Sequence, residues 1–169
     1  MTNFHPIYLT KNFSLDELIY SRTADVKGLD NFPEQPELDN LIYLCELILQ
    51  PLRESVGPIH VTSGYRGPQL NKAIGGVDTS LHAQGLAVDI YSEELDNFEL
   101  AIYIKDRFSF EELVLEKCPL SNPRKGWVHI AVKRESMSNE VMSFIKNKDN
   151  KYEYVWGLQF DKEKSNGTK

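Results

Sequence analysis

His82 and Asp89 stand seven residues apart in Ser80-Leu81-His82-Ala83-Gln84-Gly85-Leu86-Ala87-Val88-Asp89, and His129 closes Trp127-Val128-His129. Two imidazoles and one carboxylate can hold Zn²⁺ and leave a fourth position for water, which is the composition of a catalytic site. A structural zinc site is normally closed by four protein ligands. Any one of these histidines taken alone reads more readily as a satisfied core or surface residue than as a ligand. The joint pattern is what points to a metal. His5 and His60 lack a comparable partner.

The elements that must position these residues follow from periodicity and breakers. Leu86–Tyr91 alternates as a strand behind a glycine turn, and Trp127–Val132 and Glu112–Glu116 read as two strands of a hairpin with a wide loop holding Pro119, Pro123 and Gly126. Phe13-Ser14-Leu15-Asp16-Glu17-Leu18 opens a short helix, with Ser14 and Glu17 at capping-box spacing. Residues 21–36 read as an ordered loop. A long helix is predicted from roughly Glu37 to Ser55, with Leu38, Leu41, Cys45, Ile48 and Leu52 on one face, ended by Gly57 and Pro58. Ile59–Thr62 is a short strand, and Pro68 starts a brief helix carrying Asn71. Helices are further expected over Leu95–Arg107 and Ser138–Lys146, and an edge strand over Tyr152–Trp156. The fold class is therefore α+β: a small antiparallel sheet carrying a zinc site, packed against helices. Residues 1–160 are expected to form one domain, and 161–169 a disordered polar tail.

Composition narrows the function. The 169 residues carry a net charge of −6 with basic residues scattered, which argues against a phosphate-binding footprint and hence against a nucleic-acid partner. No run approaches the ~20 apolar residues of a membrane span. Met1-Thr2-Asn3-Phe4-His5-Pro6 lacks a basic region followed by an apolar core, so synthesis in the cytoplasm without a signal peptide is expected. Cys45 and Cys118 are too few for a disulfide framework and read as reduced thiols. A monomer is expected.

Ser63-Gly64-Tyr65-Arg66 places an arginine on a glycine-bearing turn, where its planar fork could grip a carboxylate or could simply face solvent. Together with Asn71, the string Ser80-x-His82-x-x-Gly85-x-Ala87-x-Asp89 and Trp127-Val128-His129, this resembles the D-alanyl-D-alanine carboxypeptidase-like zinc peptidases, which share a fold with lysostaphin-type peptidases and the hedgehog signalling domain. The resemblance spans about Phe13 to Val132. The N-terminal Phe-Ser-x-x-Glu-Leu segment and Asp30-Asn31-x-Pro33 resemble the branch common in phages and prophages.

The resemblance implies that His82, Asp89 and His129 are the zinc ligands, that Arg66 binds a substrate carboxylate or carbonyl, and that Ser80 lines the substrate pocket. Many relatives place a catalytic Glu or Asp three residues before the last histidine, where this chain has Gly126. The base must then come from elsewhere. Glu116 is the first choice because its strand pairs with the His129 strand, and Glu112, on the same strand face, is the second. The glycine and alanine between the ligands are expected to let the backbone pass close to the metal.

The implied function is a zinc peptidase acting on peptidoglycan stem peptides, as a carboxypeptidase or as a phage endolysin endopeptidase. The alternative is a catalytically silent zinc-binding or phage-assembly protein.

Overall fold

The computed structural model describes residues 6–161. Among the described residues, six α-helices, one π-helical turn and a six-stranded sheet form around one hydrophobic cluster. The helices are α1 (Leu15–Ile19), α2 (Arg22–Lys27), α3 (Gln35–Leu44), α4 (Gln50–Val56), α5 (Pro68–Ala73) and α6 (Asn97–Arg107). The strands are β1 (Ile59–Ser63), β2 (Ala87–Ser92), β3 (Glu112–Glu116), β4 (Trp127–Ala131), β5 (Glu140–Lys146) and β6 (Tyr152–Trp156). Among the described residues, no helix is long and apolar enough to cross a membrane.

The N-terminal half follows local signals. Ser14 caps α1 by accepting from the Glu17 N–H at 3.3 Å. The stretch expected as loop contains α2. Ser21 caps it at its start, and Gly28 closes it in the left-handed region at φ 61°. Only Ala24 of this helix is buried, so it carries no apolar period to read. The long helix is interrupted by a π-helical turn over Cys45–Leu49, where the Gln50 N–H reaches back five residues to the Cys45 carbonyl. Pro51 follows directly. A proline has no N–H to give and its ring crowds the preceding turn, and a π-bulge accommodates both defects without breaking the rod.

The sheet order is β1-β2-β4-β3-β5-β6. All pairings are antiparallel except β3–β5, which is parallel. The expected small antiparallel sheet is thus a larger mixed one. The cause is the segment 138–146, expected as a helix and found as strand β5. Val141, Ser143 and Ile145 alternate with Met142 and Phe144, but Ser143 places a polar residue at a fully buried position and so hides the apolar alternation. The hydroxyl is satisfied there, donating to the Gly157 carbonyl at 2.9 Å and accepting from the Gln159 N–H at 2.8 Å. The loop that brings β5 beside β3 is pinned to the start of β3: the Ser138 N–H donates to the Glu111 carboxylate, and the Phe110 N–H donates to the Asn139 side chain.

One face of the sheet is covered. Val88, Ile90, Leu113, Leu115, Val128 and Ile130 join Leu41, Leu44, Ile48, Leu52, Leu100 and Ile104 in the core. Because strand side chains alternate, the residues between them point to the other face, and that face is open. Cys45 and Cys118 are buried free thiols, and burial pushes them up to about 12 and about 11, which leaves both unreactive near neutral pH. The tail expected to be disordered lies outside the described residues from 162 onward. Asp161 itself is held, donating its N–H to the Cys118 carbonyl and accepting from the Lys146 N–H.

Candidate metal centre and cleft

Asp89 on β2 and His129 on β4 are direct cross-strand partners, so their side chains rise side by side from the open face. His82 reaches them from the turn before β2. Its Nδ1 donates to the Gly64 carbonyl at 2.8 Å, which fixes the tautomer and leaves Nε2 as the free lone pair. The Arg66 N–H donates to the His82 carbonyl at 3.2 Å, so the loop after β1 and the His82 turn are joined at two points.

Gly64 is required in that loop, since a Cβ would fall 2.2 Å from the Leu18 carbonyl. Asn31 braces the same loop from behind. Its amide donates to the Tyr65 carbonyl at 3.1 Å and its oxygen accepts from the Gly67 N–H at 2.7 Å. This role for Asn31 was not read from the sequence, although the Asp30-Asn31-x-Pro33 signal marked the place.

Three donor atoms converge. His82 Nε2 lies 3.2 Å from His129 Nδ1 and 3.3 Å from Asp89 Oδ1, and the His129 and Asp89 atoms are 2.8 Å apart. Tetrahedral ligands at about 2.0–2.1 Å from Zn²⁺ lie about 3.3 Å from one another, so the residues fit the ion. The side chains are only 5%, 12% and 12% exposed for His82, Asp89 and His129. Burial lowers the His82 pKa and so favours the neutral imidazole a metal requires. Burial alone would raise the Asp89 carboxyl, but the hydrogen bond from His129 and the close approach of the His82 ring outweigh it and hold the group well below the usual carboxylate range.

Arg66 sits beside Asp89 rather than wholly in the open. Its Nε donates to Ser63 Oγ at 3.1 Å and its Nη2 to Asp89 Oδ2 at 3.4 Å. It therefore orients the carboxylate whose other oxygen is a candidate ligand, while it also lines the cleft. Ser80 lines the cleft from the turn. Asn71 does not reach the metal donors. Its amide donates to the Val77 carbonyl at 2.8 Å and holds the 74–79 loop that walls the cleft.

Gly85 serves packing, contrary to expectation. At φ 70° its Cβ would meet the Glu37 carbonyl of α3 at 2.5 Å, so the close approach it permits is to a helix and not to the metal.

Glu112 and Glu116 both stand on the cleft face of β3. Glu112 lies 3.9 Å from His129 Nε2, the nitrogen turned away from the donor triangle. At Glu116 burial raises the carboxyl pKa, and the Asp89 charge adds to the rise. A carboxyl shifted upward in a cleft beside a candidate metal centre is a candidate functional group. Gly126 lies against the end of β3 at φ 84°, and a Cβ there would lie 2.0 Å from the Glu116 carbonyl oxygen. The backbone of β3 thus fills the space that a side chain at position 126 would need.

The donors lie at the floor of a cleft of about 1170 Å³. Ile74 and Val77 wall one side, and Phe144 and Tyr154 wall the other. A family model described as Peptidase M15 matches residues 11–131, which takes in every donor residue and both glutamates. No curated protein matches the sequence.

Proposed function

The chain belongs to the Peptidase M15 family, and on that premise we propose that it is a zinc-dependent peptidase that hydrolyses peptide bonds in peptidoglycan stem peptides, either as a D-Ala-D-Ala carboxypeptidase-like enzyme or as an endolysin endopeptidase. The observation that carries this reading is the triangle of donor atoms from His82, Asp89 and His129 at the floor of a large cleft. Those three residues would hold the ion, and Zn²⁺ in such a site acidifies water and polarises a carbonyl.

The chain's own groups supply the rest. Glu116 accepts the proton of the attacking water and delivers it to the leaving amine, a role its raised pKa favours. Arg66 faces the substrate's carbonyl or carboxylate with the part of its fork not engaged by Ser63 and Asp89. Ser80 bounds the pocket for the residue beside the scissile bond.

The test is hydrolysis of purified cell walls by the full chain, with chelator and with zinc restored. Release of new amino termini that stops with chelator and returns with zinc supports the reading. The glycine at position 126 favours the alternative, a silent zinc-binding protein, and zinc at one equivalent without hydrolysis of any wall preparation would establish it.

A further inference from the structure

The sheet continues past the metal donors. Strands β5 and β6 lie beyond residues 11–131, the segment the family model matches. Register carries the open face across to them. Asp89 pairs with His129, His129 with Val114, Val114 with Met142 and Met142 with Trp156. The adjacent row runs from Trp127 through Glu116 and Phe144 to Tyr154. Paired residues share a face, so Tyr154 and Trp156 rise on the same side as the donor triangle.

Tyr154 is 60% exposed and Trp156 70% exposed. The rings around them are already engaged. Phe144 stacks on Tyr152 at 5.2 Å and leans on Tyr154 at 4.6 Å, while the Lys117 and Lys146 ammonium groups lie over Tyr152 at 5.3 and 5.4 Å. What remains is two aromatic surfaces turned to water, Tyr154 lining the cleft and Trp156 two residues further along the same strand on the same face. Two large rings left in water on the cleft face are able to hold a ligand that has an apolar face of its own.

Its shape selects the ligand. A peptide side chain is desolvated by a hollow, and these rings offer an open shelf. A pyranose has a flat face of C–H groups that stacks on an aromatic ring while its hydroxyls stay hydrated at the rim. The chain's net charge of −6 gives a polyanion no general attraction, and the Lys117 and Lys146 ammonium groups are engaged over Tyr152.

We propose that Tyr154 and Trp156 form a second substrate subsite that stacks a neutral sugar of the glycan strand while the attached peptide runs down the cleft to the metal donors. The proposal rests on the peptidoglycan reading above. Tyr154 is two strands from Glu116 and Trp156 three from His129, roughly 10 and 14 Å at about 4.8 Å per strand. An extended peptide spans at most about 3.3–3.6 Å per residue, so the scissile bond lies about three or four residues from the sugar.

The test titrates the full-length, zinc-loaded protein by calorimetry with chitotetraose, a soluble oligomer of β-linked N-acetylglucosamine. Wild type is compared with a Tyr154→Ala/Trp156→Ala double variant and with Trp156→Phe. Binding should weaken roughly tenfold or more in the double variant, about 1.4 kcal/mol, and largely persist in Trp156→Phe. In parallel, the ratio of kcat/KM on a glycan-linked stem peptide to that on the free peptide should fall by a similar factor.

Wild-type binding that is absent, or that the double variant leaves unchanged, overturns the subsite. So does a double variant that loses equal activity on both substrates, which would make the shelf a peptide contact. A double variant that only dissociates a dimer in sedimentation, with sugar binding intact, overturns it in favour of self-association. Sugar binding through these rings without hydrolysis of either substrate upholds the subsite and defeats the peptidase reading instead.

Discussion

The two ends of the open sheet face are built on different physical terms. At the β2–β4 end, polar side chains are buried and each answers to a named partner: His82 to Gly64, Asp89 to Arg66 and His129, Arg66 to Ser63. At the β5–β6 end, the same face carries large rings with little burial and few directed bonds. The first end holds charge in a fixed geometry. The second offers area and tolerates small shifts. On the proposed reading, a cleft between them would combine a precise reaction centre with a forgiving grip on a polymer.

The comparison predicts unequal sensitivity to substitution. The largest effect is expected at the donors. His82→Ala or Asp89→Ala should abolish both zinc content and hydrolysis, read by metal analysis of the purified protein. Full metal occupancy in both variants would remove the centre from this end of the sheet.

Next comes Glu116→Gln, which keeps shape but cannot accept a proton. It should retain zinc and lower kcat by ~10²–10⁴-fold. Glu112→Gln removes only the charge facing His129 Nε2 at 3.9 Å and should cost less than about tenfold. If Glu112→Gln proves the more damaging, the base belongs to Glu112.

Arg66→Lys replaces a fork bonded to Ser63 and Asp89 with a point charge. A loss of roughly tenfold in kcat/KM is expected, about 1.4 kcal/mol, with zinc retained. Unchanged kinetics on a stem peptide would reduce Arg66 to a bystander.

The smallest catalytic effect belongs to the other end. Ser143→Ala leaves the Gln159 N–H and the Gly157 carbonyl without their buried partner, so stability should fall by about 1–3 kcal/mol in denaturant unfolding. Zinc content should not change. A variant that lost metal as well would show that the two ends are coupled.

What the sequence disclosed follows the same division. The donor set was legible because its residue types are rare and the glycine turn and strand alternation around them are strong local signals. The β3–β4 pairing was legible because two apolar runs flank a loop rich in proline and glycine. β5 was not, because a short apolar run with Ser143 inside it carries no decisive period, and its parallel partner lies far along the chain. The π-turn before Pro51 was hidden inside an unbroken helical pattern. The inward turn of Arg66 toward Asp89 was invisible too, since side-chain direction across strands has no sequence signature.

Gly126 has a bearing on how such a site can change through descent. With the Glu116 carbonyl 2.0 Å from where its Cβ would stand, and a backbone at φ 84°, no single substitution can install a carboxylate there without moving β3. A side chain at position 126 therefore requires the turn and the end of β3 to move together. On the proposed reading, acid–base duty in a chain with this glycine can pass between carboxylates along β3 but not to the residue before β4, unless the turn is rebuilt in the same step.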